Sequence, residues 1–179
     1  MKDYFGLRLG KHVLLLVPWE CSPEVMVVSR REIYPIPGMA DACLGVYSQR
    51  VGANGHSPLL WVVDLADLLS DLMGFQPPLP LEGEELTVVV ITDHAKDGEM
   101  LPKQQSIGLV VSAVVGKVSL SPEEVEPLPA KAKPVLAPYC TGVARIDGGK
   151  IGAIVNLPAL WSAAAMIERN RVSSPNLWG

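Results

Sequence analysis

The chain has few of the residues from which catalytic and metal centres are built: three cysteines and three histidines among 179 residues. Cys21, Cys43 and Cys140 are odd in number and widely spaced. They form no C-x-x-C pair and have no histidine at zinc-ligand spacing, which excludes the zinc-finger and redox-motif classes and suits a reducing, cytoplasmic compartment. His12 sits beside the first turn, His56 in a glycine-rich loop and His94 in a polar loop, each reading as a surface histidine. Charge is sparse as well: 19% of residues are charged and the net charge is −4, so no basic groove for nucleic acid is on offer. Long apolar runs are missing. Val13 to Val17 is broken by Pro18 and Glu20, too short for a signal-peptide core and far below the ~20 residues of a membrane helix. No targeting segment and no direct membrane insertion are expected.

What the chain does have is apolar residues in short, punctuated runs. Nearly half of it (49%) is hydrophobic, enough for a substantial core in one ordinary domain. Sixteen prolines and sixteen glycines exceed the ordinary share of about 12% for the pair, and they fall between the apolar runs. Those runs are Tyr4 to Leu9, Val13 to Val17, Val25 to Val28, Leu59 to Val63, Leu86 to Thr92, Ile107 to Val115, Val118 to Leu120 and Ile151 to Val155. Rich in β-branched residues and bounded by Gly, Pro, Asn and Asp, they are strand signals. Two segments read as helices. Leu65, Leu68, Leu69 and Leu72 share one face after Asp64 in N-cap position, and Asn156 with Pro158 opens a second helix lined by Leu160, Ala164 and Ile167.

The two helix starts are also copies of one another. Val63-Asp64-Leu65-Ala66-Asp67-Leu68-Leu69 matches Val155-Asn156-Leu157-Pro158-Ala159-Leu160-Trp161, and upstream Cys43-Leu44-Gly45-Val46 matches Cys140-Thr141-Gly142-Val143. A strand leading through a polar cap into a helix, twice at half-chain spacing, predicts a duplicated β unit. The predicted fold is therefore mostly β: two small five-stranded, SH3-like barrels in pseudo-twofold relation, with short helices after residue 64 and near 158–169. A single domain over 1–179 is expected, with exchange of strands between the halves left open. Gly74 to Gly83 and Ala130 to Pro138 read as connectors, and polar Asp93 to Gln105 as an exposed hairpin loop.

No catalytic constellation emerges. Cys43 and Cys140 occupy equivalent places before a Gly-Val or Leu-Gly-Val strand start, which suits small buried side chains, whereas a nucleophile also needs a base and an oxyanion site. Gly52-Ala53-Asn54-Gly55 lacks the Lys-Ser/Thr of a phosphate loop and reads as a hairpin turn. The clusters Glu82, Glu84, Glu85 and Glu123, Glu124, Glu126 lack the alternating ligands of a calcium loop. Trp19, Trp61, Trp161 and Trp178 have no interleaved basic residues and suit core packing or protein contact. No enzyme activity, metal or cofactor is expected.

The run Ile107-Gly108-Leu109-Val110-Val111, followed by Ser119-Leu120-Ser121-Pro122-Glu123-Glu124-Val125 and Pro127-Leu128-Pro129, resembles the CheW-like chemotaxis coupling family. Glu24-Val25, Gly45-Val46 leading toward Arg50, and Val63-Asp64-Leu65 agree with it, so the resemblance spans about residues 4 to 165. Pro35-Ile36-Pro37-Gly38-Met39 and Leu60-Trp61-Val62-Val63-Asp64 are similar to CheW-like proteins of cyanobacterial pilus-motility and phototaxis systems. The resemblance implies two barrels around a shared core, and an adaptor that bridges the cytoplasmic tip of a chemoreceptor to a CheA-type histidine kinase in arrays beneath the membrane. It implies partner contact through Glu24, Val25 and Arg50, while Asp64 is read as a helix cap. Two departures stand out. The family's Asn-Leu-Arg-Gly appears as Ser48-Gln49-Arg50-Val51 with a longer Gly52 to Ser57 segment, and Ser112 replaces a common aspartate. Two rival readings stay open: a detached kinase regulatory domain, which shares the fold, and a small thiol enzyme using Cys140 or Cys43.

Overall fold

Two hairpins whose strands carry consecutive apolar residues along their middle stretches lie at the centre of the molecule, and they are apolar on both faces there because both faces are covered. They are β1 (Lys2–Leu9) with β2 (Val13–Pro18), and β7 (Glu85–Asp93) with β8 (Gln105–Val111). The computed structural model describes residues 1–11, 13–21, 23–38, 42–48, 59–73, 83–93, 105–131, 133–156, 158–160 and 162. One sheet runs β10 (Val125–Glu126), β11 (Cys140–Ile146), β12 (Lys150–Val155), β2, β1, β9 (Ala113–Leu120). The other runs β4 (Ile33–Tyr34), β5 (Cys43–Ser48), β6 (Leu59–Asp64), β8, β7, β3 (Glu24–Ser29). Each is the predicted barrel with a two-residue strand added. Pairing is antiparallel except for β12 with β2 and β6 with β8, which hold the same place in the two sheets.

The side-chain period of two divides the core into three parts. Phe5, Leu7, Leu9, Leu15 and Val17 from one sheet meet Val63, Val89, Ile91, Ile107, Leu109 and Val111 from the other in a shared cluster. On the opposite faces of these strands, Leu60, Val62, Leu86, Val88, Val90 and Val110 fill the second barrel, joined by Val28 and Ile33. Tyr4, Leu16, Leu120, Ala144 and Ile154 fill the first. Full burial of one such aliphatic side chain contributes about 1.5–3 kcal/mol, so the shared cluster ties the stability of each barrel to the other. Helix α1 (Leu65–Met73) lays Leu65, Leu68 and Leu69 on that cluster, and Leu160 joins it from the helical residues 158–160.

The duplication is visible as hydrogen bonds. The N–H of Asp67 donates to Asp64 Oδ1 at 3.2 Å and that of Ala159 to Asn156 Oδ1 at 3.3 Å, so both polar residues cap their helices. Just upstream, the Asp64 N–H donates to the Ala42 carbonyl and the Asn156 N–H to the Tyr139 carbonyl, each at 2.7 Å. Gly45 and Gly142 both sit at a bulge in the strand that follows the equivalent cysteine. A Cβ on Gly45 would collide with the Tyr34 carbonyl, and one on Gly142 would lie 2.9 Å from the corresponding Glu126 carbonyl. A third repeat, Ser29-Arg30-Arg31-Glu32-Ile33 against Ser121-Pro122-Glu123-Glu124-Val125, forms a 3-10 turn in both copies.

The two copies exchange hairpins. β1 and β2 belong by sequence to the first repeat yet lie in the sheet of β9 to β12, while β7 and β8 of the second repeat lie in the sheet of β3 to β6. This corrects the reading of Ile107 to Val115 as one strand, because the chain bends at Ser112 and changes sheets there. Ser112 Oγ accepts from the Gly10 N–H at 2.7 Å, and its own N–H donates to the Arg8 carbonyl at 3.0 Å, so β9 leaves along β1. Within the predicted Ala130 to Pro138 connector lies one helical turn, α2 (Lys133–Leu136). Asp93 pairs with Gln105, closing β7 and β8 into the predicted hairpin.

Candidate partner-binding surface

Glu24 and Val25 open β3, the last strand of its sheet, which among the described residues pairs with β7 alone. Met26 and Val28 turn toward the barrel interior. Val25 and Val27 turn outward and are 47% and 63% exposed. The backbone has a matching polarity. The Arg30 N–H donates to the Glu84 carbonyl at 2.7 Å, which makes Arg30 and Glu84 a hydrogen-bonded pair of the β3–β7 register. Such pairs alternate along an antiparallel ladder, so the even residues of β3 bond to β7 and the odd residues, Val25, Val27 and Ser29, aim their N–H and C=O groups at the open edge. The apolar side chains and the outward backbone groups therefore belong to the same residues.

The corresponding edge in the other copy is built differently. By the 92-residue offset Val25 corresponds to Lys117 and Val27 to Ser119 on β9, while inward Val28 corresponds to inward Leu120. Lys117 Nζ lies 3.3 Å from Asp3 Oδ2 and 5.5 Å from the centre of the Trp19 ring. The Ser119 hydroxyl donates to Asp3 Oδ1 at 2.6 Å. That bond, and then Lys117, hold the Asp3 carboxyl below its ordinary value. Trp19 packs edge-on to Phe5 at 5.8 Å. Charged residues on an edge discourage strand addition, and β3 carries none between Val25 and Ser29.

The other sequence-predicted positions divide. Arg50, the Gly52 to Ser57 segment, His12, His56 and His94 lie outside the described residues. Cys140 is buried, and burial pushes its thiol up from the ordinary value. Cys43 is half-buried, with Sγ 3.8 Å from the Val62 carbonyl. Among the described residues no group of three or more His, Cys, Asp or Glu side chains could hold a metal ion, and no helix is long and apolar enough to cross a membrane. Val27 escaped the sequence reading, although strict alternation from inward Val28 would have marked it as the more exposed valine. Leu59 and Ile151, equivalent by the same offset, are also exposed apolar residues.

The described residues form a pair of hairpin-exchanged β barrels, one of which ends in an edge strand with exposed apolar side chains. The sequence matches the model of the CheW-like domain over residues 3–165, and the chain belongs to that family. Among solved structures it is similar to the scaffolding protein TtCheW from Thermoanaerobacter tengcongensis, with a TM-score of 0.58 at 18% identity, covering 87% of this chain and 90% of that one. No curated protein sequence matches it.

Proposed function

We propose that this chain is a non-enzymatic adaptor that couples the cytoplasmic tips of chemoreceptors to a CheA-type histidine kinase, as a single domain working in the cytoplasm beneath the membrane. Its product is a coupling free energy between two partners held in one assembly, which requires contact surfaces and no bond-making. Membership of the CheW-like family supports this reading. The observation that carries it is the β3 edge, where Glu24, Val25 and Val27 offer exposed side chains and Val25 and Val27 also offer outward backbone groups. Strand addition to such an edge takes affinity from main-chain hydrogen bonds and specificity from alternate side chains.

Arg50 is assigned to the receptor, where a guanidinium makes charge-assisted hydrogen bonds to acidic helix residues. Burial of Cys140, with its thiol held protonated, weighs against a thiol enzyme. The test is co-sedimentation of the purified chain with receptor-containing membranes and, separately, pull-down by purified kinase. Arg50→Glu should lower receptor co-sedimentation by about tenfold or more while leaving kinase pull-down and the melting profile unchanged. Failure of the wild-type chain to bind either partner would overturn the reading.

A further inference from the structure

We propose that β3 also pairs antiparallel with β3 of a second copy of this chain, about a twofold axis through Met26, so that the second sheet continues across two molecules. Three observations on the edge point to a copy of itself. The outward backbone groups belong to Val25 and Val27. A twofold at Met26 sets Val25 of each copy opposite Val27 of the other as hydrogen-bonded pairs, and gathers the four exposed valine side chains into one row. The strand also has opposite charges at its two ends, with exposed Glu24 at the start and, in the 3-10 turn just beyond Ser29, exposed Arg30, whose Nε donates to the Gly83 carbonyl at 2.8 Å and whose guanidinium keeps its charge there. Antiparallel pairing places Glu24 of one copy diagonal to Arg30 of the other, about 7–8 Å along the ladder and within reach of long side chains, whereas parallel pairing would stack like charges.

The third observation is the contrast with β9. Lys117 and Asp3 guard the edge that occupies the same place in the first sheet, so among the described residues one of the two equivalent edges is open and the other is guarded. One open, self-complementary edge gives a closed dimer, where two would give a filament. Because the dimer covers Val25 and Val27, it withholds from other proteins the surface assigned to them above. The inference itself rests only on the edge, not on the identity of those partners.

Sedimentation velocity of the full chain over a wide concentration range tests the proposal. The expected result is a reversible monomer–dimer equilibrium. Val27→Lys should raise its dissociation constant about a hundredfold, a tenfold loss per copy counted twice in a symmetric interface. Val27→Pro should do the same, because it deletes an N–H at the open edge and none in the ladder to β7. Met26→Cys should give a reducible covalent dimer on mild oxidation, since the axial residues face each other as a non-hydrogen-bonded pair about 4.5 Å apart at Cα, within disulfide range. Wild-type chain that stays monomeric at every concentration overturns the proposal. So does a dimer that Val27→Lys leaves unchanged while circular dichroism shows a native fold. A monomer that still pulls down kinase overturns self-pairing and leaves the adaptor reading standing.

Discussion

Gly45 and Gly142 provide an experiment with its control inside the same chain. Both glycines sit at equivalent bulges, but only Gly45 has a backbone that an L-residue rarely adopts, with φ +141°. Gly45→Ala must bear that conformation, at about 1–3 kcal/mol. It must also drive its methyl into the Tyr34 carbonyl and the Pro35 backbone, which are main chain and cannot swing aside. Yielding there disturbs the Tyr34–Val46 pairing and costs about 1 kcal/mol for a ladder hydrogen bond. The expected loss is about 2–4 kcal/mol. Gly142→Ala also meets a main-chain carbonyl, but at 2.9 Å, where a shift of a few tenths of an ångström relieves it, and with no strained φ, and should lose about 1 kcal/mol. With a urea m-value of about 2 kcal/mol per molar, the two midpoints should differ by about 1 M. Equal midpoints for the two variants would refute the assignment of strain to Gly45.

Three further outcomes follow from the same geometry. Leu109→Ala removes a buried side chain from the shared cluster and should cost about 2–5 kcal/mol; hydrogen exchange should then show both sheets opening in one transition, and two separated transitions would contradict the shared core. Cys140 in the native chain should react with a thiol reagent about tenfold or more slowly than after denaturation, read by peptide mass mapping, and equal rates would reopen the thiol-enzyme reading. The Asp3 carboxyl is ionised more readily in the folded chain, by virtue of Ser119 and then Lys117, so its contribution is present above the ordinary carboxylate range and is lost as pH falls through the lowered native value. Asp3→Asn should flatten the acid limb of the stability profile, and superimposable profiles would remove that role.

The strands at the molecular centre were legible because burial on two faces writes a continuous apolar run, as in Val88 to Ile91. Cys43–Ser48 and Cys140–Ile146 were legible only as repeats. Each carries a glycine and polar residues, since one end of the strand lies against a neighbouring carbonyl, and composition alone gives a weak strand signal there. The two-residue strands β4 and β10 were invisible, too short for any period to register. Ile107 to Val115 read as one strand because Ser112 is a single polar residue in an apolar run. What bends the chain there is a pair of hydrogen bonds to a hairpin a hundred residues away, which no local pattern records. Glu24 and Val25 were found by family pattern, but the directional logic of the edge needed the register of β3 against β7.

The exchanged hairpins suggest how such a chain could arise. If each repeat were a separate polypeptide, its β hairpin would have no sheet of its own to complete and could be satisfied only by a twin, giving an intertwined pair of identical subunits. Joining the two genes end to end would turn that obligatory partnership into a single molecule. It would also release the halves from identity, so that one edge could carry Lys117 and the other valines. On this account the asymmetry of the contact surface is a freedom that fusion made available. A half-chain of residues 1–73 made alone would be expected to reappear as a dimer rather than as a folded barrel.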